Sequence, residues 1–172
     1  VIFGDGAGAA VLRASEEGEG RILATDIGTD GKQTHILNIP GGGSACPVTI
    51  DNAGDGLATF AMLGKEVFKH AINGMASSAQ AALDKAEMNI DDIDWVVAHQ
   101  ANYRIISAVG QKLNVPDEKL YINVDRFGNT SAASVPIAFD EMARKNIIKR
   151  GDKVLFVAFG GGLTWGASVI KY

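Results

Sequence analysis

Apolar and polar residues follow one another along the chain in patterns that predict strands first and helices later. Short apolar runs predict strands at residues 9–12 and 21–26, and glycines at alternate positions precede the first of them. Those glycines lack the spacing of a dinucleotide fingerprint, and we interpret them as places where other backbone approaches closely. Residues 28–54 are rich in turn-forming residues and predict a long loop without a helix.

A helical pattern begins near residue 57 and continues to residue 86. Its apolar residues recur every three or four positions and form one predicted buried stripe, namely Phe60, Leu63, Val67, Ala71 and Met75. Strands are then predicted at 95–98, 120–122, 153–159 and 163–170, and helices at 102–113 and 130–146. This order of elements predicts an α/β fold with a mixed sheet flanked by helices.

Composition narrows the class of protein. The chain has 172 residues, enough for one domain with a real core, and its net charge of −4 argues against general binding to nucleic acids or membrane surfaces. A single cysteine excludes an intrachain disulfide and suits a cytoplasmic location. No apolar run is long enough to span a bilayer. Because Val1 begins in what reads as the middle of a strand, we expect the sequence to be part of a longer protein.

Three candidate functional positions lie beside the ends of predicted elements: His99, Asn129 and the glycines at 160–162. An imidazole donor, a carboxamide donor and bare backbone amides suit a reaction in which a carbonyl oxygen gains negative charge. Each position also has a structural alternative, since the histidine can be structural, the asparagine can cap a helix and the glycines can form a hairpin. Cys46 lies in the long loop, with no adjacent histidine or helix N-terminus to activate it.

Four short motifs stand out: HQAN at 99–102, GNTSAA at 128–133, FGGGLTWG at 159–166 and FGDGAGAA at 3–10. Together they resemble the β-ketoacyl-acyl-carrier-protein synthase III family of the thiolase superfamily. The resemblance covers nearly all of this chain but only about the C-terminal half of the family's enzyme. It implies a thiolase-like fold, in which the chain forms one half of a layered αβαβα arrangement. Residues 1–55 would complete the N-terminal half and the connecting loop, and residues 56–172 would form the C-terminal half.

The resemblance also implies an activity. The family's cysteine accepts an acyl group from an acyl-CoA primer, and malonyl-acyl-carrier protein then loses CO₂ and attacks that thioester, which initiates fatty-acid synthesis. His99 and Asn129 are similar to the pair that stabilises the resulting enolate, and Gly161 is similar to one arm of the oxyanion hole. The histidine is expected to be neutral. The cysteine belongs to the family's N-terminal half and Cys46 matches no catalytic position, so this sequence alone is expected to be inactive.

Substrate and partner contacts follow from the same resemblance. The implied substrate-binding residues along the pantetheine tunnel are Met62, Gly64, Lys65, Ala101 and Phe159. The implied carrier-protein docking residues are Lys69, Gln100, Arg104 and Lys112. The resemblance further implies acyl-CoA and malonyl-acyl-carrier protein as substrates, no permanently bound cofactor, no metal, and a cytoplasmic homodimer as the intact enzyme.

Two alternatives stay open. A synthase-III-like enzyme of specialised metabolism would load an unusual acyl group or transfer it without condensation. A non-catalytic module would supply only the docking and dimer surfaces. An upstream cysteine that opens a small-residue helix would separate the catalytic from the non-catalytic alternative. An isolated half would expose apolar surface, so we expect it to self-associate.

Overall fold

The computed structural model of the protein describes residues 3–16 and 20–172. Six strands and four α-helices lie in this part of the chain. The strands are β1 (Arg21–Thr29), β2 (Leu37–Asn38), β3 (Ala61–Met62), β4 (Trp95–Ala98), β5 (Lys153–Gly160) and β6 (Thr164–Lys171), and the helices are α1 (Gly64–Lys85), α2 (Tyr103–Leu113), α3 (Val124–Phe127) and α4 (Ser134–Arg144). Short 3₁₀ helices lie at Gly31–Ile36, Ile90–Asp92, Asp117–Lys119 and Ser131–Ala133.

A mixed four-stranded sheet with the order β1-β6-β5-β4 forms the centre of the fold. β4 and β5 are parallel, whereas β6 is antiparallel to both β5 and β1. The pairing of β4 with β5 runs from Trp95 opposite Val154 to Ala98 opposite Val157. The carboxyl ends of these two strands therefore meet at one edge of the sheet, which is where α/β proteins place their ligands.

Helices cover both faces of the sheet. Side chains alternate between faces along a strand, so Val96 and Val97 of β4 point to opposite sides. Val96 belongs to the larger core with α1 and α2, whereas Val97 packs with Met142 of α4. The predicted α/β fold with a mixed sheet between helices is confirmed. None of the helices in residues 3–16 and 20–172 is both long and apolar enough to cross a membrane.

Small residues let α1 lie close to the sheet. The helix contacts β1, β5 and β6. A side chain added at Gly74 would stand 3.0 Å from the indole ring of Trp165 on β6, which is tighter than ordinary packing. Glycine at this position therefore sets the distance between helix and sheet.

The helix predicted from residue 57 begins later, at Gly64. β3 pairs with β2 just before it, and the Leu63 N–H donates to the Ile36 carbonyl at 2.9 Å. This short ladder holds the chain extended up to the first turn of α1. Phe60 and Leu63 are consequently 45% and 53% exposed, so their predicted place on the buried stripe is wrong. The later members of the stripe are buried as predicted, namely Val67, Ala71 and Met75.

The strand predicted at residues 9–12 is wrong. These residues form no strand within the described chain, and Val11 is 95% exposed. The segment is held at its start, where Phe3 forms a parallel bridge with Asn129. Beyond that point, no neighbouring strand among the described residues supplies the hydrogen bonds that an extended chain needs.

Three smaller predictions also change. The segment at 120–122 forms a single bridge between Leu120 and Val96 instead of a full strand. Helix α4 begins at Ser134, after a 3₁₀ turn, and not at residue 130. The long loop contains the 3₁₀ helix Gly31–Ile36, whose first turn is fixed by an aspartate side chain that accepts a backbone N–H. In each case a local turn or a distant partner decides the boundary.

Candidate active site

His99 directly follows β4 at the sheet edge where the parallel strands end. Its backbone N–H donates to the Val157 carbonyl of β5 at 2.7 Å, so the ladder continues one residue beyond Ala98. The chain then turns into α2, whose first turn is capped by the Asn102 side chain accepting from the Ile105 N–H at 3.0 Å. A buried apolar strand and a helix cap thus fix the short connection that carries His99.

The imidazole of His99 is partly buried against the start of α4. Its Nδ1 lies 2.7 Å from the Ser134 hydroxyl oxygen. Ser134 is 2% exposed, and its hydroxyl oxygen also accepts from the Gln100 N–H at 3.2 Å. Burial lowers the pKa of His99 from its ordinary value of 6.5, because a charged imidazolium is poorly solvated there. The neutral imidazole is therefore the favoured form at pH 7.

Ser134 has no distinguishing signal in the sequence beyond its place in the small-residue run that follows Asn129. A serine at the start of a helix is ordinarily interpreted as a cap. Its contact with His99 joins residues that are 35 positions apart, and only the packing of α4 against β4 brings them together.

Asn129 lies in the loop between α3 and α4 and is held through its oxygen atoms. Its backbone carbonyl accepts from the Gly4 N–H at 2.9 Å, and its side-chain Oδ1 accepts from the Ser131 N–H at 2.9 Å. The preceding Gly128 has a φ of +68°, which favours glycine. Within the described residues, the amide nitrogen Nδ2 has no hydrogen-bond partner, so its N–H groups are available as donors.

Gly160 ends β5, and Gly161 and Gly162 lie in the turn between β5 and β6. Leu163 fixes this turn, because its N–H donates to the Asp30 carbonyl at 3.0 Å and its own carbonyl accepts from the Asp30 N–H at 2.9 Å. Gly161 itself is exposed. Since β5 is parallel to β4, the turn lies at the same edge of the sheet as His99.

An open groove of about 660 Å³ lies beside the loop that carries Asn129. Ala101, one of the predicted substrate-binding residues, lines this groove together with Asn129. The other predicted substrate-binding residues do not line it, namely Met62, Gly64, Lys65 and Phe159. Three of these four are exposed at the start of α1. No cluster of three or more potential metal-ligating side chains occurs in the part of the chain that the structure describes.

The prediction that Gln100 docks the carrier protein is wrong, because this residue lies inside the protein and is 1% exposed. Its side-chain nitrogen donates to the carbonyls of Ala98 and Tyr121, at 2.9 and 3.1 Å. Its side-chain oxygen accepts from the N–H groups of Asn123 and Val124, at 2.9 and 3.1 Å. The residue next to the histidine therefore holds the interior together and does not face a partner.

The other three predicted docking residues are exposed on two neighbouring helices, Lys69 on α1 and Arg104 and Lys112 on α2. The Arg104 guanidinium lies 5.7 Å from the centre of the Phe68 ring. The Lys112 Nζ donates to the Asn73 side chain at 2.8 Å. Both contacts join α1 to α2, so the three cations share one surface, which includes the helix that follows His99.

The Glu141 carboxylate on α4 stabilises the short segment between β4 and α2 that carries His99, through intervening hydrogen bonds. The Glu141 side chain accepts from the Asn123 side chain at 3.0 Å, and Lys145 donates to its other oxygen. Partial burial raises the pKa of Glu141, but hydrogen bonds, first from Lys145 and then from Asn123, outweigh it and lower the pKa to about 2. Because Asn123 also donates to Gln100, a continuous chain of hydrogen bonds runs from α4 to the residue beside His99.

The sheet, the helices on both faces and the histidine at the carboxyl edge agree with the thiolase-like fold expected from the sequence, and two family models identify the family. The model described as the C-terminal part of 3-oxoacyl-[acyl-carrier-protein] synthase III matches residues 83–172. The model described as 3-oxoacyl-[acyl-carrier-protein] synthase III matches residues 1–31. The chain belongs to the 3-oxoacyl-[acyl-carrier-protein] synthase III family.

Relatives and solved structures agree with this assignment. A β-ketoacyl-[acyl-carrier-protein] synthase III of Clostridioides difficile (strain 630) is 49% identical over 172 residues, which cover 100% of this chain and 52% of the relative. The crystal structure of the synthase III from Pseudomonas aeruginosa PAO1 is 39% identical with a TM-score of 0.88, over 99% of this chain and 50% of that one. The synthase III structure from Thermus thermophilus is 39% identical with a TM-score of 0.86, over 99% and 52%. The chain therefore spans about half the length of these proteins.

Proposed function

We propose that this chain supplies the enolate-stabilising half of a β-ketoacyl-acyl-carrier-protein synthase III, which condenses an acyl-CoA primer with malonyl-acyl-carrier protein and so initiates fatty-acid synthesis. The observation that carries the proposal is the environment of His99. Its imidazole is buried enough to favour the neutral form and is held through Nδ1 by Ser134. Nε2 is then the nitrogen available to a substrate.

In the proposed reaction the malonyl thioester loses its carboxylate as CO₂. The electron pair of the broken C–C bond moves onto the thioester carbonyl, which becomes an enolate. N–H donors of His99 and Asn129 stabilise the negative oxygen, because fixed donors at a developing charge need no reorganisation. Both side chains are held by hydrogen bonds, His99 from Ser134 at the start of α4 and Asn129 from Ser131 just before that helix, which supports this pairing.

The enolate carbon then attacks an acyl thioester carried by a cysteine, and the thiolate leaves as the new C–C bond forms. The resemblance assigns this cysteine to the half of the family's enzyme that the chain does not span. It assigns the Gly161 N–H to the oxyanion hole of the same step. Residues 1–172 by themselves are therefore proposed to lack condensing activity.

The surface shared by Lys69, Arg104 and Lys112 is proposed to dock the acidic carrier protein. Complementary charge of this kind steers association and fixes the orientation of the partner. Docking there would place the pantetheine arm near the start of α2. The proposed contacts of that arm are Met62, Gly64, Lys65, Ala101 and Phe159.

The intact enzyme is proposed to be a cytoplasmic homodimer, in which residues 1–55 complete one thiolase-like half and residues 56–172 form the other. The exposure of several large apolar side chains supports this proposal, because it indicates surfaces on which another half or subunit can pack. Val11, Ile27 and Ile50 are 95%, 87% and 98% exposed. Isolated apolar residues on a surface are common, but a set of this kind suits burial against the other half or a second subunit.

Release of CO₂ from malonyl-acyl-carrier protein tests the proposal, because this step needs the enolate stabilisers but no covalent acyl group. We expect His99→Ala and Asn129→Ala each to slow CO₂ release by about 10²–10³, the usual effect of losing one oxyanion donor. His35→Ala is the matched control, since His35 is an exposed histidine with no proposed role. Its rate should equal that of the wild type.

Two outcomes would contradict the proposal. Undiminished CO₂ release in both site variants would mean that other groups stabilise the enolate. A wild-type protein that binds malonyl-acyl-carrier protein but releases no CO₂ would favour a non-catalytic docking module.

A further inference from the structure

Ser134 lies at the start of α4 with its hydroxyl against the histidine of the proposed site. Its oxygen is 2.7 Å from His99 Nδ1 and accepts from the Gln100 N–H at 3.2 Å. These are the polar contacts of this hydroxyl among the described residues, and the side chain is 2% exposed. Water is therefore kept from the hydroxyl, and its hydrogen must find an acceptor inside the protein.

The hydrogen-bond capacity of the serine oxygen decides which imidazole nitrogen carries the hydrogen. The Gln100 N–H already occupies one lone pair of this oxygen. If Nδ1 also carried a hydrogen, the oxygen would accept twice and the hydroxyl hydrogen would be buried without an acceptor, which is unfavourable. If Nδ1 is bare, the hydroxyl donates to it and all three groups are satisfied. The second arrangement puts the imidazole hydrogen on Nε2.

We propose that Ser134 is a positioning residue that holds His99 in the tautomer with its hydrogen on Nε2. The meaning of this tautomer for the reaction rests on the proposed function, because a bare Nε2 would repel an enolate oxygen whereas an N–H donates to it. Ser134 acts through His99 and needs no contact with the substrate.

The 3₁₀ turn that precedes α4 orients the second proposed donor, the amide of Asn129. The Ser131 N–H donates to Asn129 Oδ1 at 2.9 Å, which turns the amide nitrogen of Asn129 away from the backbone. Ser131 and Ser134 thus engage the atoms of Asn129 and His99 that cannot donate to an oxyanion. What remains free on each side chain is an N–H group.

Nitrogen NMR of protein labelled with ¹⁵N-histidine tests the inference directly, because protonated and bare imidazole nitrogens have well-separated chemical shifts. The spectra are recorded on the full chain at a pH above the usual histidine pKa. The signals of His99 are identified by their loss in His99→Asn. We expect the wild-type His99 to carry its hydrogen on Nε2 alone.

Ser134→Ala should release this preference and raise the Nδ1–H fraction to that of N-acetylhistidine amide under the same conditions. Ser134→Thr keeps the hydroxyl and should restore the wild-type pattern. Ser77→Ala is the matched control, because it removes a serine hydroxyl that donates to the Gly74 carbonyl at 3.0 Å and contacts no histidine. It should leave the His99 signals unchanged.

A wild-type His99 with its hydrogen on Nδ1 would overturn the inference without any variant. An unchanged tautomer in folded Ser134→Ala would also overturn it, since the hydroxyl would then not select the form. The assay of CO₂ release separates this claim from the proposed function. A tautomer that is Nε2–H in the wild type and changes in Ser134→Ala, together with no CO₂ release by the wild type, would support the positioning role and contradict the proposed function.

Discussion

Replacement of Gln100 by alanine removes a buried side chain that joins three parts of the chain. Its amide makes four hydrogen bonds, to the end of β4, to residue 121 and to the start of α3. The residue is 1% exposed, so water does not replace these bonds when the amide is deleted. The truncation therefore leaves two N–H groups and two carbonyl groups to find new partners in the interior.

The size of the effect follows from these contacts. A hydrogen bond contributes about 1 kcal/mol net, and a buried group left without a partner costs about 1–3 kcal/mol. We expect Gln100→Ala to lower the free energy of unfolding by about 3–5 kcal/mol. Folded domains have about 5–15 kcal/mol in total, so this is a large part of the stability.

Urea unfolding followed by circular dichroism measures the change, provided that the slope of the transition is the same in both proteins. Gln111→Ala is the matched control, because Gln111 is exposed on α2 and its side chain makes no hydrogen bond with the described residues. Its effect should stay within about 0.5 kcal/mol. If Gln100→Ala costs no more than the control, the network around Gln100 does not hold this part of the fold, and the reasoning is refuted.

Three further predictions concern other parts of the molecule. The wild type should be more stable than Glu141→Gln above pH 4.5, and this advantage should disappear as the pH falls towards 2. The reason is that the pKa of the Glu141 carboxyl is lowered from 4.5 to about 2 in the folded protein. Thermal unfolding of both proteins across this pH range measures the change in their stability difference. Gly74→Ala should lower the unfolding midpoint, since the added methyl group stands 3.0 Å from an indole ring. Gly64→Ala, with no atom within 4 Å, should be neutral or stabilising by up to about 1 kcal/mol in the same assay. Arg104→Glu should weaken carrier-protein binding severalfold at low salt in a fluorescence-anisotropy titration. Lys149→Glu should not, because Lys149 is exposed just before the amino end of β5, away from the proposed docking surface. Equal effects of the two changes would contradict a docking surface on α1 and α2.

The connection around His99 is the part of the molecule that local sequence patterns predict best. An uninterrupted apolar run gives β4, and Asn102 caps α2 through its own side chain. Both signals act over a few residues, so they need no knowledge of the rest of the chain. The parallel pairing of β4 with β5 then places His99 beside the turn that contains Gly161.

Predictions failed where a distant partner decides the structure. The start of α1 moves to Gly64 because β3 pairs with β2, and a two-residue ladder has no periodicity to detect. Glutamine is a polar residue that is usually found on the surface, but the Gln100 amide forms hydrogen bonds with carbonyl and N–H groups of separate segments. Local sequence also gives no sign of the contact between Ser134 and His99, because this contact depends on the packing of α4 against β4. The roles assigned to His99 and Asn129 come from the family resemblance and stay predictions.

The strand order of the sheet has a consequence for synthesis. β6 lies between β1 and β5, although both precede it in the sequence. Its pairs with β1 run from Thr29 opposite Thr164 to Arg21 opposite Lys171. During synthesis on the ribosome, the edges of β1 and β5 that pair with β6 therefore stay without their partner until β6 is made. Such unpaired strand edges are prone to pair with the wrong strand. The sheet cannot close until the segment that ends at Lys171 has left the exit tunnel.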